Sequence, residues 1–401
     1  MKKIVTCGIL ADNNFGCPSI LHGIGELFKQ LSIENYKIIN FQNTPIIDLS
    51  VSDMCFETKQ IAFPIKKFLF WSILYRFGIK HKNKDFNEQI EIIKTADLII
   101  DLYGICFCDN FNKERFRPIL NILKMLHQFT IPFIGKMFGV ATLKNISSYG
   151  PMEKKNSVHQ AKIADKFIFD YFLAREKESL ENMINVAKIS KQVKLSPDIA
   201  NLMKLTKSKQ DQTNVIGISI SYQIINQWKS SETYISCITN LIKHIYVKYD
   251  FHISLIPNEV SSIYYNDEDV GNELIERLHG YTDRVSLLDV KNITSSELKN
   301  KIARCEFIVA SRYHSCVAAL SAGVPLLVVG WHHKYDELLN YYDQKEWIIS
   351  SDNCKSIDLC SKFDKLVQSK DEVMAKIQDR QYSVKQQIIK TYEQALSALW
   401  G

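Results

Sequence analysis

The side chains with the most chemistry to offer fall in one stretch, residues 307–337. Ser311, Arg312, Tyr313, His314 and Ser315 form one polar knot, and Trp331, His332, His333 and Lys334 lie in a second. A guanidinium can grip a carboxylate or phosphate through two parallel hydrogen bonds. An imidazole exchanges protons near neutral pH, and a lysine adds a compact positive charge. Such a set suits a small, multiply charged anion. Taken singly, Arg312 could pair with a structural carboxylate and His314 could be a satisfied core histidine; it is the gathering of several such groups that points to a site.

The segments around the knots say how they are positioned. Phe307–Ala310 has the length and composition of a buried strand. Cys316–Ala322 is small and apolar and reads as a short buried helix with Ser315 near its N-cap. Gly323 suits the helix end and Pro325 blocks continuation. Leu326–Val329 is a second buried strand. The whole is a βαβ unit, and both knots fall at the carboxyl ends of its strands, where open α/β sheets bind ligands. A helix N-terminus beside Arg312 adds its free N–H groups and dipole.

The rest of the chain alternates in the same way. In the first half, strands are expected at Lys3–Leu10, Tyr36–Gln42, Ala96–Tyr103, Ile131–Val140 and Lys166–Ala174, with helices at Ser19–Leu31, Asp85–Thr95 and Pro118–Gln128. Residues 201–214 are polar and lysine-rich and read as a linker. Beyond it come strands at Val215–Tyr222, His252–Pro257 and Val285–Leu288, and helices at Glu232–Tyr249, Val270–His279, Ser295–Arg304 and Asp371–Trp400. The acidic run Asp267–Glu268–Asp269 reads as a solvated helix start. The pattern predicts an α/β protein with two doubly wound Rossmann-like domains facing a cleft, 1–200 and 215–375, followed by a terminal helix, 376–401.

Composition narrows the function classes. The 401 residues are 46% hydrophobic and 23% charged, as in ordinary globular proteins. A net charge of +6 with no recognisable nucleic-acid motif argues against nucleic acid as a partner. Ten scattered cysteines and a start, Met1-Lys2-Lys3, that leads straight into a strand predict free thiols in the cytoplasm. Cys106 and Cys108 are the one close pair, with no second pair to complete a zinc site, so no metal is expected. No stretch reaches the ~18 apolar residues of a membrane span. Residues 61–84, however, contain no acid and place Lys66, Lys67, Arg76, Lys80, Lys82 and Lys84 among aromatic and aliphatic residues. That mixture fits either a buried helix with basic ends or contact with a membrane surface at the inner face.

The ordered motifs resemble the polysaccharide pyruvyl transferase family. Ser311-Arg312-Tyr313-His314, Ala322-Gly323-Val324-Pro325 and Lys334 match its C-terminal signature. Earlier come Asn14-Phe15-Gly16, Arg175-Glu176-Lys177-Glu178-Ser179 and Pro197-Asp198. Cys17 stands where the family usually has an aspartate, and Asn258 where it commonly has a histidine. The resemblance implies a GT-B-like arrangement with the terminal helix packing back toward the first domain. It implies transfer of a pyruvyl group from phosphoenolpyruvate to a glycan or lipid-linked oligosaccharide in cell-surface polysaccharide synthesis, without a cofactor. His314 would be the catalytic acid/base, with Arg312, Ser315, Lys334 and Arg175 binding the donor. Asn14, His332, His333 and, in place of the missing acid, Asp12 would support the site or the acceptor; a plain βα turn is the alternative for the 11–18 loop. Other readings are a GT-B glycosyltransferase using a nucleotide sugar, and an inactive sugar- or lipid-binding relative.

Overall fold

A computed structural model describes residues 1–9, 14–43, 56–205, 213–260, 264–291, 293–332 and 334–401. Two parallel sheets form the framework. The first contains β1 (Lys2–Cys7), β2 (Tyr36–Gln42), β3 (Phe56–Gln60), β4 (Leu98–Asp101), β5 (Ile105–Cys106), β6 (Thr142–Tyr149), β7 (Tyr171–Ala174) and β8 (Gln192–Leu195). Its order is β3-β2-β1-β4-β6-β7-β8, with β5 paired to the end of β6. The second contains β9 (Val215–Ser219), β10 (His252–Ile256), β11 (Val285–Leu287), β12 (Phe307–Ala310), β13 (Leu326–Gly330) and β14 (Ile348–Ser350), in the order β11-β10-β9-β12-β13-β14. Strand order reverses at β1/β4 and at β9/β12, and a crevice opens at the carboxyl ends of such pairs.

Helices cover both sheets. Those of the first half are α1 (Gly16–Gln30), α2 (Ile65–Arg76), α3 (Lys84–Lys94), α4 (Pro118–Gln128), α5 (Thr130–Met137), α6 (Lys155–Phe167) and α7 (Lys177–Glu181). Those of the second are α8 (Tyr234–Lys248), α9 (Asp267–Arg277), α10 (Ser295–Arg304), α11 (Tyr313–Ala322), α12 (Lys334–Tyr341), α13 (Ser356–Gln368) and α14 (Lys370–Trp400). Strands covered on both faces are apolar throughout, as in β12 and β13, where every residue is buried. α14 begins against the second sheet's helices, with Gln381 Nε2 donating to Leu320 O at 2.9 Å. It ends on the first sheet's side, where Tyr392 Oη donates to Asn145 Oδ1 and Trp400 Nε1 donates to Asp97 O at 3.1 Å.

Two expectations fail here for readable reasons. Ile131–Val140 was expected as a strand, but Thr130–Met137 is helix α5. Gly135 lets that helix lie close on β4: a Cβ there would sit 2.1 Å from Ile99 Cδ1. The true strand, β6, follows it with the sequence TLKNISSY, fully buried yet rich in polar residues. Its polar groups are matched inside: Lys144 Nζ lies 2.8 Å from Asp101 Oδ1 and donates to Tyr103 O at 2.6 Å. A buried ion pair with satisfied hydrogen bonds makes such a strand tolerable, but hides it from an apolar pattern. The strand expected over Lys166–Ala174 is shorter, Tyr171–Ala174, because Lys166 and Phe167 close α6.

Candidate active site

α11 follows β12 immediately: Arg312 is the N-cap, and no side chain caps the helix. Gly323 ends it in the left-handed region, φ 78°, which a glycine adopts without strain. α12 starts at Lys334, whose backbone N–H donates to His332 Nδ1 at 3.2 Å. A cavity of about 190 Å³ lies between these helix starts and the end of β7. Arg175, Arg312, Tyr313, His314 and Lys334 line it from the strand ends, and Asn14 and Cys17 close it from the start of α1 and the residues just before it.

Lys334 sits against aromatic faces. Its Nζ lies 4.8 Å from the Trp331 ring centroid and 5.4 Å from those of Tyr313 and Tyr335. Among the described residues it makes no ion pair. Desolvation, with Arg175 beside it, pulls its pKa down to about 7. Arg175 stacks on the other cationic approach to Tyr313, 5.0 Å from that ring, and donates through Nη2 to Gly104 O at 3.0 Å. Its buried Nε lies 4.0 Å from Glu176 Oε1 and makes no hydrogen bond among the described residues. The adjoining carboxylate, Glu176, accepts from Ser148 and Ser179 hydroxyls at 2.6 Å each, which accounts for the serine of the Arg-Glu-x-x-Ser element.

His314 is kept neutral. Burial drives its pKa down to about 4; Asp198 opposes that shift, while Arg175, Lys334 and Arg312 reinforce it. Its Nε2 has no hydrogen-bond partner among the described residues. Gly16 sits directly against the ring: a Cβ there would lie 2.2 Å from His314 Nδ1. α1 is pressed onto this spot by Phe15, whose N–H donates to Asn258 O at 3.1 Å and whose carbonyl accepts from Ser295 Oγ at 2.9 Å. Asn14 Oδ1 caps the helix by accepting from Cys17 N at 2.9 Å. Gly16→Ala should therefore push the imidazole aside and cut turnover about 100-fold, with the fold retained. Steady-state rates and a thermal melt check this; undiminished turnover would uncouple Gly16 from the site.

Arg312 is fixed by carboxylates. Its Nε donates to Asp267 Oδ2 at 2.8 Å, its Nη2 to Asp267 Oδ1, and its Nη1 to Glu259 Oε2 at 2.9 Å. Asp267 also accepts the backbone N–H groups of Tyr222, Asn258 and Glu259. The acidic run expected as a solvated helix start thus begins with a fully buried residue, at 0% exposure. Among the described residues, one N–H on each terminal nitrogen of Arg312 is left without a hydrogen-bond acceptor.

The other sequence candidates divide. Asn14 lines the cavity with Arg175, Arg312, His314 and Lys334. Ser315 is fully buried below it, its hydroxyl accepting from Ser219 Oγ at 2.7 Å and Asn258 Nδ2 at 3.1 Å. Its side chain therefore ties α11 to β9 and the end of β10 and does not face the ligand space. His332 caps α12 and does not line the cavity. Asp12 and His333 lie outside the described residues. Sequence reasoning gave no site role to Glu259 or Tyr313, and read Asp267 as part of a solvated helix start.

A larger cleft of about 860 Å³ adjoins the small cavity and shares Asn14, Cys17, Gln223 and Glu259 with it. Its far wall is the carboxyl end of the first sheet, with Gly8 and Tyr103, together with α4, with Lys124 and His127. Among the described residues, no three His, Cys, Asp or Glu side chains gather as a metal-binding group.

The family model for polysaccharide pyruvyl transferase matches residues 41–333. The chain belongs to this family. This pyruvyl transferase family member also superposes on solved structures of similar architecture. S. aureus MnaA, solved with UDP, gives a TM-score of 0.59 at 14% identity, covering 100% of this chain and 98% of that one. A putative UDP-N-acetylglucosamine 2-epimerase from Listeria monocytogenes gives 0.60 at 11%, covering 94% and 91%. A sucrose-phosphate synthase from Thermosynechococcus elongatus gives 0.56 at 10%, covering 99% and 100%. At these identities the likeness shows the fold, which is of the GT-B type. No curated protein sequence matches the chain.

Proposed function

We propose that this family member transfers a pyruvyl group from phosphoenolpyruvate to two hydroxyls of one glycan sugar, giving a cyclic ketal and phosphate. The observation that carries this reading is the small cavity, where Lys334, which makes no ion pair among the described residues, and the buried Arg175 flank a neutral His314. A small donor bearing both a carboxylate and a phosphate meets that arrangement. Lys334, Arg175, the two remaining N–H groups of Arg312 and the α11 amides supply positive potential and donors. The larger cleft beside it takes the sugar acceptor.

In this reading His314 enters the reaction as a base. One acceptor hydroxyl adds to C2 of the donor and gives its proton to the imidazole, which passes that proton to C3 and makes it a methyl group. Phosphate then leaves C2, and the second hydroxyl closes the ketal ring. Over the cycle one hydroxyl proton ends on carbon and the other leaves with phosphate, so atoms and charges balance. The cations meet charge that shifts onto the departing phosphate.

The fold relatives that carry UDP in their descriptions favour one competing reading, glycosyl transfer from a nucleotide sugar. Incubation with phosphoenolpyruvate and the glycan of the source cell separates the readings. Phosphate release matched by a pyruvyl mass gain supports ketal transfer; stabilisation by UDP- or GDP-sugars without such a product supports the other, and neither signal marks an inactive binding relative. A pH series gives a second check. With Lys334 at about 7 in the free protein, binding of an anion draws a proton onto it. Donor affinity should be highest below that pH and fall by up to about tenfold per pH unit above it. Lys334→Met should weaken binding and flatten that slope; a slope unchanged in the variant would remove Lys334 from the donor site.

A further inference from the structure

α4, with the sequence PILNILKMLHQ, buries only Asn121 and Met125. Ile119 is 71% exposed, Leu120 50%, Ile122 43% and Leu123 56%. A helix at the surface of a globular protein normally turns its apolar face inward; α4 turns it outward. α2 packs beside it and exposes Phe70 and Ile73, with Phe77 and Ile79 exposed just past its end. Isolated surface hydrophobics are ordinary, but a group on adjoining helices marks a contact surface.

Charge identifies what would cover it. Lys113, Arg115 and Arg117 precede α4, and Lys66, Lys67 and Arg76 lie on α2; all are exposed. None makes an ion pair among the described residues. Residues 61–84 contain no acid, and the one acid in 111–128, Glu114, is paired with Lys154 at 2.7 Å. A second copy docked isologously would bring these like charges together. An anionic bilayer complements both the basic residues and the apolar ones. The surface also borders the larger cleft, because Lys124, His127 and Gln128 of α4 line that cleft.

We propose that α4 and α2 form a docking surface for an anionic lipid bilayer, holding the mouth of the larger cleft at headgroup level. Among the described residues no helix is long and apolar enough to cross a membrane, so the contact is peripheral. A glycan carried on a membrane lipid would then reach the cleft from the surface beside it. That last step rests on the pyruvyl-transfer reading, whereas the docking itself does not.

The test is flotation of the full chain with vesicles of phosphatidylcholine alone and of phosphatidylcholine mixed with phosphatidylglycerol. The wild type should float with the anionic vesicles at low salt, release as salt rises, and ignore the neutral ones. Ile119→Ser with Leu123→Ser, and separately Arg115→Ser with Arg117→Ser, should each weaken binding by about tenfold or more. Both pairs should leave the melting temperature and its shift by phosphoenolpyruvate unchanged, which keeps this test separate from the donor reading. Three results would overturn the proposal: no flotation at low salt, binding undiminished in both variants, or a wild-type dimer that Ile119→Ser with Leu123→Ser converts to monomer.

Discussion

Replacing His314 with alanine is expected to lower turnover by about 10²–10⁴-fold while leaving phosphoenolpyruvate binding largely intact, because the loss of one positioned acid/base typically has that size. The split between binding and turnover follows from the geometry. The donor's charges would be met by Lys334, Arg175 and Arg312, whereas His314 is neutral at pH 7, its pKa held at about 4 chiefly by burial. It therefore contributes little Coulombic attraction to an anion and a full proton-accepting site to the chemistry. As the base of the proposed transfer, this imidazole must be unprotonated in the free protein, so kcat/KM should persist as pH falls through 6.5 and decline only near the lowered value. His314→Gln is a useful companion, since it retains polarity without a basic nitrogen and should be as inactive as the alanine variant. Donor binding by calorimetry and phosphate release by continuous assay give the two readouts. A His314→Ala protein with near-normal turnover would move the proton transfer elsewhere.

Asp267→Ala should destabilise the fold by about 3–5 kcal/mol, the usual cost of removing one partner from a buried ion pair. Asp267 is wholly buried, bonds Arg312 with both oxygens and takes three backbone N–H groups from the segments after β9 and β10. Its loss leaves a guanidinium with only Glu259 and leaves those three amides without their acceptor. Because Arg312 is held in place by the same carboxylate, phosphoenolpyruvate affinity should fall together with stability. Urea unfolding measures the first effect, and calorimetry below the unfolding range measures the second. A stability change under about 1 kcal/mol, the range of exposed pairs, would mean that water or a neighbour replaces the carboxylate.

These two residues mark how far local sequence carries. His314 stood out because its neighbours signal a strand end and a helix start: an apolar run before it, a small apolar helix after it, and a glycine and proline that stop that helix. Such features act within a few residues and are legible from order alone. The same holds for the two parallel sheets, since long alternations of apolar strand and amphipathic helix admit few other packings. Where polarity inside the core is matched by a distant partner, the local pattern misleads. β6 was passed over because Lys144 and its serines look solvated until Asp101 and Tyr103 are brought beside them.

What only the tertiary structure decided is the electrical state of the site. The sequence by itself determined that Arg312, His314, Lys334 and Arg175 follow strand ends, and hence that a cationic cluster with an imidazole could form. It did not reveal that Arg312 is matched by Asp267 and Glu259, nor that Lys334 sits among aromatic rings with no carboxylate paired to it among the described residues. Nor did it reveal that Gly16, nearly three hundred positions earlier in the chain, touches the catalytic candidate. The physical reason is range. Backbone preferences and apolar periodicity are set by neighbours in sequence, whereas desolvation and charge pairing depend on which groups the fold brings within a few ångströms.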